Sequence, residues 1–211
     1  MTDDSPAAFL DTPVPVGWEC KALDDLVDAD RGISYGIVQP GKHDDAGVPI
    51  VRVNNLRDGR IETDDVLRVS KAIEEKYSRT RLRGREVLLS LVGTLGECAV
   101  VPPELEGWNV ARAVAVIPVD ERVDSRWVAT CLRSAPLQHL IRTWATTTVQ
   151  ATFNLRDVRR LPIVIPPPGT RDWMMQVLSS LEDKIELNGR IIQILEGMAG
   201  AIFNAWFVDF E

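Results

Sequence analysis

The stretch MMQVLSSLEDKIELNGRIIQILEGMAGAIFNAW, residues 174–206, decides how this chain is read. Along it Met174, Leu178, Leu181, Ile185, Asn188, Ile192, Leu195, Ala199, Ile202 and Trp206 recur at alternating steps of four and three, and nine of the ten are apolar. On a helix that spacing draws a narrow stripe, the geometry of a seam between two helices rather than of a broad core-facing surface. At 1.5 Å per residue the helix is about 50 Å long, more than a domain of this size needs for its own core. The competing arrangement is a helix lying on its own domain. Two details favour pairing. A buried Asn such as Asn188 costs stability and sets register and partner number, and Phe207-Val208-Asp209-Phe210-Glu211 leaves little chain to cover the stripe. Gly189, Gly197 and Gly200 each weaken an isolated helix by roughly 1 kcal/mol relative to Ala, so neighbours must hold it together.

Ahead of this rod, 211 residues leave room for one globular domain with a real core. No run reaches the roughly 18 uninterrupted apolar residues of a membrane span, and Met-Thr-Asp-Asp-Ser lacks the basic-then-apolar order of a secretory signal. Cys20, Cys98 and Cys131 are odd in number, widely spaced and without a CxxC pair, which reads as buried reduced thiols of a cytoplasmic protein. His43 and His139 have no Cys or carboxylate at ligand spacing, so no metal site is expected, and neither sits in a Ser/His/Asp context.

The net charge of −7 argues against nucleic acid until its placement is considered. Residues 1–30 hold eight acids and one base, which accounts for all of it. The remaining body is neutral, and Arg68–Arg85 carries seven bases against two acids, with Arg79, Arg81, Arg83 and Arg85 at alternate positions. Arg126–Arg160 carries six bases against one acid. These segments either form one cationic face or are a solvated helix face and a polar loop.

Residues 1–16 read as a loose acidic arm, 17–168 as the main domain and 169–211 as the long helix. Within the domain a short helix is expected near Lys21–Val27, one surface loop over 32–47, strands at Val48–Val53, Glu86–Leu91, Cys98–Val101 and Val110–Ile117, and helices at Lys71–Tyr77, Ser125–Leu132 and Pro136–Trp144. Residues 146–152 are a second polar loop, and Leu161–Pro168 is extended. Mixed elements without regular alternation predict an α+β fold.

Several of these landmarks together resemble the specificity (S) subunit of Type I restriction-modification systems. They are Gly17-Trp18, the run Gly47-Val48-Pro49-Ile50-Val51-Arg52-Val53-Asn54-Asn55-Leu56-Arg57-Asp58-Gly59, Val87-Leu88-Leu89-Ser90 with Gly93-Thr94-Leu95-Gly96, and Leu161-Pro162-Ile163-Val164-Ile165-Pro166-Pro167. Ile185-Glu186-Leu187-Asn188, Leu195-Glu196 and Phe203-Asn204-Ala205-Trp206-Phe207-Val208-Asp209-Phe210 complete the set. The resemblance implies a DNA reader without an active site or cofactor of its own. In such subunits two target recognition domains are each followed by a long helix, and the helices pair antiparallel as a ruler. Modification subunits carrying S-adenosylmethionine dock around the helices and methylate adenine, and a separate restriction subunit using ATP and Mg²⁺ cuts. This chain departs by stopping after one domain and one helix, either as a natural half-size subunit or as a truncated one, and in both cases the unpaired seam is expected to find a second copy. It also departs in the helix glycines and in Pro168-Gly169-Thr170-Arg171.

Base reading needs paired donors and acceptors on a surface that fits a groove, and loops supply them. The candidates are Ser34, Tyr35, Gln39 and Lys42 in the first loop and Thr146, Thr147, Gln150 and Thr152 in the second, with Thr94 in its glycine-flanked turn. Arg81, Arg83 and Arg85 are candidate phosphate clamps. Each has a plainer structural role available, such as a packed Tyr35. Two rivals remain. Asp65, Glu74 and Lys76 form a D…ExK string of the type that holds Mg²⁺ in nucleases, although Glu74 and Glu75 are expected to face water. A coiled-coil scaffold that binds only proteins also fits the acidic pI, but leaves the loop-bearing domain unexplained. Gln150→Ala is expected to weaken binding to the cognate duplex by roughly 1–3 kcal/mol and relax one target position; an unchanged preference in a binding assay removes this loop from the reading surface.

Overall fold

The computed structural model describes residues 5–10, 12–145 and 152–208, and the chain divides into two units, Met1–Pro166 and Pro167–Glu211. In the first unit the strands and helices run β1 (Glu19–Ala22), β2 (Ser34–Tyr35), β3 (Val48–Val51), β4 (Leu56–Arg57), β5 (Arg60–Ile61), β6 (Leu67–Val69) and α1 (Lys71–Glu74). They continue with β7 (Val87–Ser90), β8 (Cys98–Val100), β9 (Asn109–Val110), β10 (Val114–Ile117), α2 (Ser125–Arg133), α3 (Ala135–Trp144), α4 (Leu155–Arg159) and β11 (Pro162–Ile165). The second unit is the single helix α5 (Pro168–Phe207), forty residues long and so about 60 Å from end to end. The α+β expectation and the terminal rod are both realised.

A four-stranded antiparallel sheet in the order β2-β10-β7-β8 forms the centre of the first unit. Side chains of successive strand residues leave on opposite faces, and here both faces are buried. Val87 and Leu89 of β7 and Ala115 and Ile117 of β10 pack into a core shared with Val128 and Leu132 of α2 and Leu137 and Ile141 of α3. Leu88, Val114 and Val116 enter a second core with Val51, Leu82 and Val110. That explains why β7 and β10 are continuous apolar runs rather than alternating ones. A three-stranded sheet, β6-β3-β9, includes a parallel pair between β3 and β9, β1 pairs with β11, and β4-β5 is a hairpin turning through Asp58 and Gly59 at positive φ, the backbone that Asp-Gly favours.

Four expectations need correction, and one element was not expected. Lys21–Val27 is not a helix: residues 19–22 extend to pair with β11, and only Leu23–Leu26 form a 3-10 turn. The 32–47 loop is interrupted by β2, with Ile33 and Ile37 buried on either side. The strand expected at Val110–Ile117 is two strands in different sheets, broken at Ala111-Arg112-Ala113. The acidic arm is structured in part: Pro6–Phe9 form a 3-10 turn, with Phe9 edge-on to Trp144 at 4.9 Å and Arg160 over both rings. The short α4, capped by the Asn154 side chain on the Asp157 amide, was not anticipated.

A buried polar knot joins β9 to α1 and the 3-10 segment that follows it. Asn109 donates to Glu74 Oε1 at 3.0 Å and to the Tyr77 carbonyl at 3.1 Å, and its own oxygen accepts from Thr80 Oγ1 at 2.7 Å and the Val110 amide at 2.9 Å. A buried amide so completely partnered is costly to remove, because its partners are left unsatisfied. Asn109→Ala is expected to lower stability by about 1–3 kcal/mol per stranded partner group, read as a fall in the urea midpoint at unchanged slope; an unchanged midpoint contradicts this account.

Candidate nucleic-acid interface

The strands of the central sheet are antiparallel, so the end of β2, the end of β7 and the start of β10 lie at the same edge. A ring of hydrogen bonds ties the segments that emerge there. The Arg112 amide donates to the Ile37 carbonyl at 2.8 Å, the Leu91 amide to Ala113 at 2.8 Å and the Phe153 amide to Leu91 at 2.9 Å. The Leu155 amide donates to the Tyr35 hydroxyl at 3.3 Å, which closes the circuit. Val92 and Thr152 form a further antiparallel bridge. Segments far apart in sequence, including Tyr35, Thr94 and Thr152 from the candidate set, are thereby brought to one end of one sheet.

Local chemistry makes this edge firm. Gly36 sits where a Cβ would fall 2.2 Å from the Val110 carbonyl oxygen, so only glycine permits the approach. The 93–96 turn is held by Ser90, whose hydroxyl donates to the Thr94 carbonyl, and by Gln138, which donates to the carbonyls of Gly96 and Leu132 at 2.9 Å each. Thr94 and Thr152 are exposed, Tyr35 is more than one-third exposed, and Ser34 is half-buried in β2. Gln39 is exposed just beyond Ile37, whereas Lys42 lies on a stretch running along β6 and α1: Asp44 donates to Arg68, and Gly41 approaches Ile73. Thr146, Thr147 and Gln150 lie outside the described residues.

Sequence reasoning missed one side chain at this edge. Arg112 occupies the break between β9 and β10, exposed, with its guanidinium 6.0 Å from the centre of the Tyr35 ring. The signal was an arginine between two alanines inside an apolar run, hidden by reading that run as one strand.

The alternate arginines of 79–85 are not one clamp. Arg79 donates to the Arg31 carbonyl, and Arg81 forms a two-pronged pair with Glu74, at 2.8 and 2.5 Å. Glu74 is only 2% exposed. The hydrogen bond from Arg81 holds its carboxyl below the ordinary range, with Asn109 adding to the effect against the opposing cost of burial, and Arg81 is raised in turn. Arg31 completes the set on the buried Glu86 at 2.6 Å. Arg83 and Arg85 are exposed, but they precede β7 and so lie at the opposite end of that strand from Thr94. The expectation that Glu74 faces water is thus overturned, and with it the D…ExK string comes apart: Asp65 pairs with Arg52 at 3.0 Å, away from Glu74's partners. Among the described residues no cluster of three His, Cys, Asp or Glu could hold a metal. Burial pushes the Cys98 and Cys131 thiols up to about 12, so both stay protonated and unreactive at neutral pH.

Taken by itself, α5 exposes its stripe: Leu181, Ile185, Ile192, Leu195, Ile202 and Trp206 are all exposed, Ile185 by 68%. Asn188 is exposed among them, and Met174 and Leu178 are half-buried. A second apolar set was overlooked. Leu187, Ile191, Ile194 and Met198 also follow four-three-four steps, each one residue ahead of a member of the first stripe, and all are exposed. From residue 187 onward the apolar face is therefore about twice as wide as a two-helix seam uses. No helix among the described residues is long and apolar enough to cross a membrane.

A mixed α+β domain followed by a forty-residue helix is the architecture of a target recognition domain with its long C-terminal helix. Residues 15–197 match the Type I restriction modification DNA specificity domain, and the chain belongs to that family. It is 25% identical over 185 residues to the Type I restriction enzyme EcoBI specificity subunit of Escherichia coli, covering 86% of this chain and 35% of that protein. It is 23% identical over 202 residues to the putative MjaX specificity subunit of Methanocaldococcus jannaschii, covering 90% and 46%. A Type I S subunit from M. genitalium shares the fold with a TM-score of 0.64 at 13% identity, over 94% of this chain and 47% of that one. The specificity subunit from Thermoanaerobacter tengcongensis gives 0.57 at 16%, over 88% and 43%. The chain thus spans less than half the length of these relatives.

The geometry separates two arginines that the sequence grouped. Arg81→Ala strands the buried Glu74 carboxylate and is expected to lower the urea midpoint clearly, whereas Arg83→Ala leaves stability within about 0.5 kcal/mol of wild type. Equal midpoints for the two variants contradict this assignment.

Proposed function

We propose that residues 17–168 read a short DNA sequence through the edge carrying Tyr35, Thr94 and Thr152. In this reading α5 pairs with the α5 of a second copy and recruits adenine methyltransferase subunits to a bipartite site. The observation that carries the reading is the hydrogen-bonded ring that assembles four separated segments at one sheet edge, on a chain of the specificity family. Loops held on a rigid scaffold are what sequence reading requires.

Pairing follows from the first stripe. An apolar seam of ten positions left in water is unfavourable, at about 25 cal/mol per Å² of apolar surface, and a second copy offers the matching face. A two-fold pair presents two identical reading edges, so its target is two inverted half-sites around an unread spacer. The second stripe then remains available for the modification subunits. In this scheme the chain brings no cofactor: S-adenosylmethionine comes with the modification subunits, ATP and Mg²⁺ with any restriction subunit, and the complex works in the cytoplasm.

Selection from a random duplex library, with and without the cognate modification subunit, tests the reading. Enrichment of an inverted-repeat, bipartite motif is expected, and no enrichment under either condition leaves a protein-only scaffold. In parallel, Leu195→Asp is expected to convert a species with the mass of two chains into one with the mass of one by sedimentation equilibrium. A wild-type chain that sediments as a single copy at micromolar concentration removes the pairing step.

A further inference from the structure

We propose that Arg112 reads a guanine in each half-site, with the Tyr35 ring as the platform that aims its guanidinium; this deepens the DNA-reading function proposed above and rests on it. The turn that bears Arg112 precedes β10, and β10 lies between β2 and β7 in the sheet. Arg112 therefore projects from the middle of the reading edge, flanked by Tyr35 on one side and the Leu91–Thr94 turn on the other. Phosphate contacts fix register, whereas contacts to base edges carry the sequence information, and we assign Arg112 to the second kind from this central position.

The backbone around Arg112 is pinned at every step. The Ala111 amide donates to Val51 at 2.9 Å, Arg112 to Ile37 at 2.8 Å and Val114 to Ala111 at 2.9 Å, and the Ala113 carbonyl accepts from Leu91. Ile37 and Ala111 also pair as a bridge. The side chain, by contrast, makes no hydrogen bond or ion pair among the described residues; its one recorded contact is the Tyr35 ring face at 6.0 Å. Tyr35 is itself anchored through its hydroxyl to the Leu155 amide. This differs from Arg31, Arg79 and Arg81, whose guanidinium groups are all occupied inside the domain. Ala111 and Ala113 carry only methyl groups, so nothing bulky beside Arg112 keeps a groove wall away. A guanidinium held over an aromatic face at this distance keeps its N–H groups for a ligand, and guanine O6 and N7 are the base atoms that match its fork.

The test pairs protein variants with a modified base. A library selection with wild-type protein and its modification subunit is compared with selections using Arg112→Ala and Arg112→Lys. Wild type is expected to require a guanine at one position of each half-site that both variants accept as any base, with binding to the wild-type motif weakened about tenfold or more. Lys keeps the charge and loses the fork, so it separates base reading from simple attraction. Replacing that guanine by 7-deazaguanine, which lacks the N7 acceptor, should weaken wild-type binding and leave Arg112→Ala unaffected. The deazaguanine measurement on wild-type protein stands even if a variant fails to fold. Variants that keep the same guanine while binding all duplexes more weakly, with a salt slope reduced by about one, make Arg112 a phosphate contact and overturn the proposal. If wild-type protein enriches no motif, the DNA-reading function falls first and this assignment with it. A motif that retains its guanine requirement in both variants leaves the function standing and sinks Arg112 alone.

Discussion

Burial of β7 and β10 on both faces is the constraint on which the rest of this domain depends. A sheet with apolar side chains on both sides must be covered twice: α2 and α3 close one face, and Val51, Leu82, Val110 and their neighbours close the other. Covering it twice draws segments from the whole length of the domain to the same few strands. Their connections must then leave at the sheet edges, where their backbones pair with one another. Rigidity at the candidate interface is thus a by-product of core formation. The positions that face outward there, Tyr35, Thr94, Arg112 and Thr152, are free to vary in chemistry without disturbing the core.

The strongest periodic signals were legible, and the weaker ones failed where tertiary pairing overrode local pattern. Residues 174–206 and the helices near 125–144 follow from spacing, and the α+β class from the irregular order of elements. Lys21–Val27 looks helical, but its first residues, Lys21 and Ala22, pair with β11, a partner more than a hundred residues away that no local window contains. The run 110–117 is apolar throughout, so periodicity could not reveal that its halves belong to different sheets. That error concealed Arg112. Of the candidate readers, Tyr35, Thr94 and Thr152 converge, Lys42 lies along another sheet, and Arg81 is tied to Glu74. Charge counts along a chain cannot distinguish a cation with a buried partner from one without.

The arginine-rich stretch shows how that ambiguity resolves physically. Glu74 and Glu86 are both nearly inaccessible to water, and an uncompensated buried carboxylate is costly. The domain meets that cost with Arg81 and Arg31, and Arg79 fastens Arg31's own carbonyl. Much of the apparent cationic face is therefore internal neutralisation, consistent with a body of balanced charge behind an acidic leader.

The helix imposes the complementary requirement. Gly189, Gly197 and Gly200 weaken the interior of α5, and its apolar residues are exposed along most of its length, so neither intrinsic propensity nor its own side chains account for a forty-residue helix. In the pairing proposed above, burial of those side chains supplies the difference. One seam, 174 to 206, suits a second helix of the same kind, and Asn188 within it favours a single register. The adjoining set at 187, 191, 194 and 198 lies too far round the helix to be buried by that same partner. Two adjacent seams on one helix are the pattern of a bundle rather than of a lone pair.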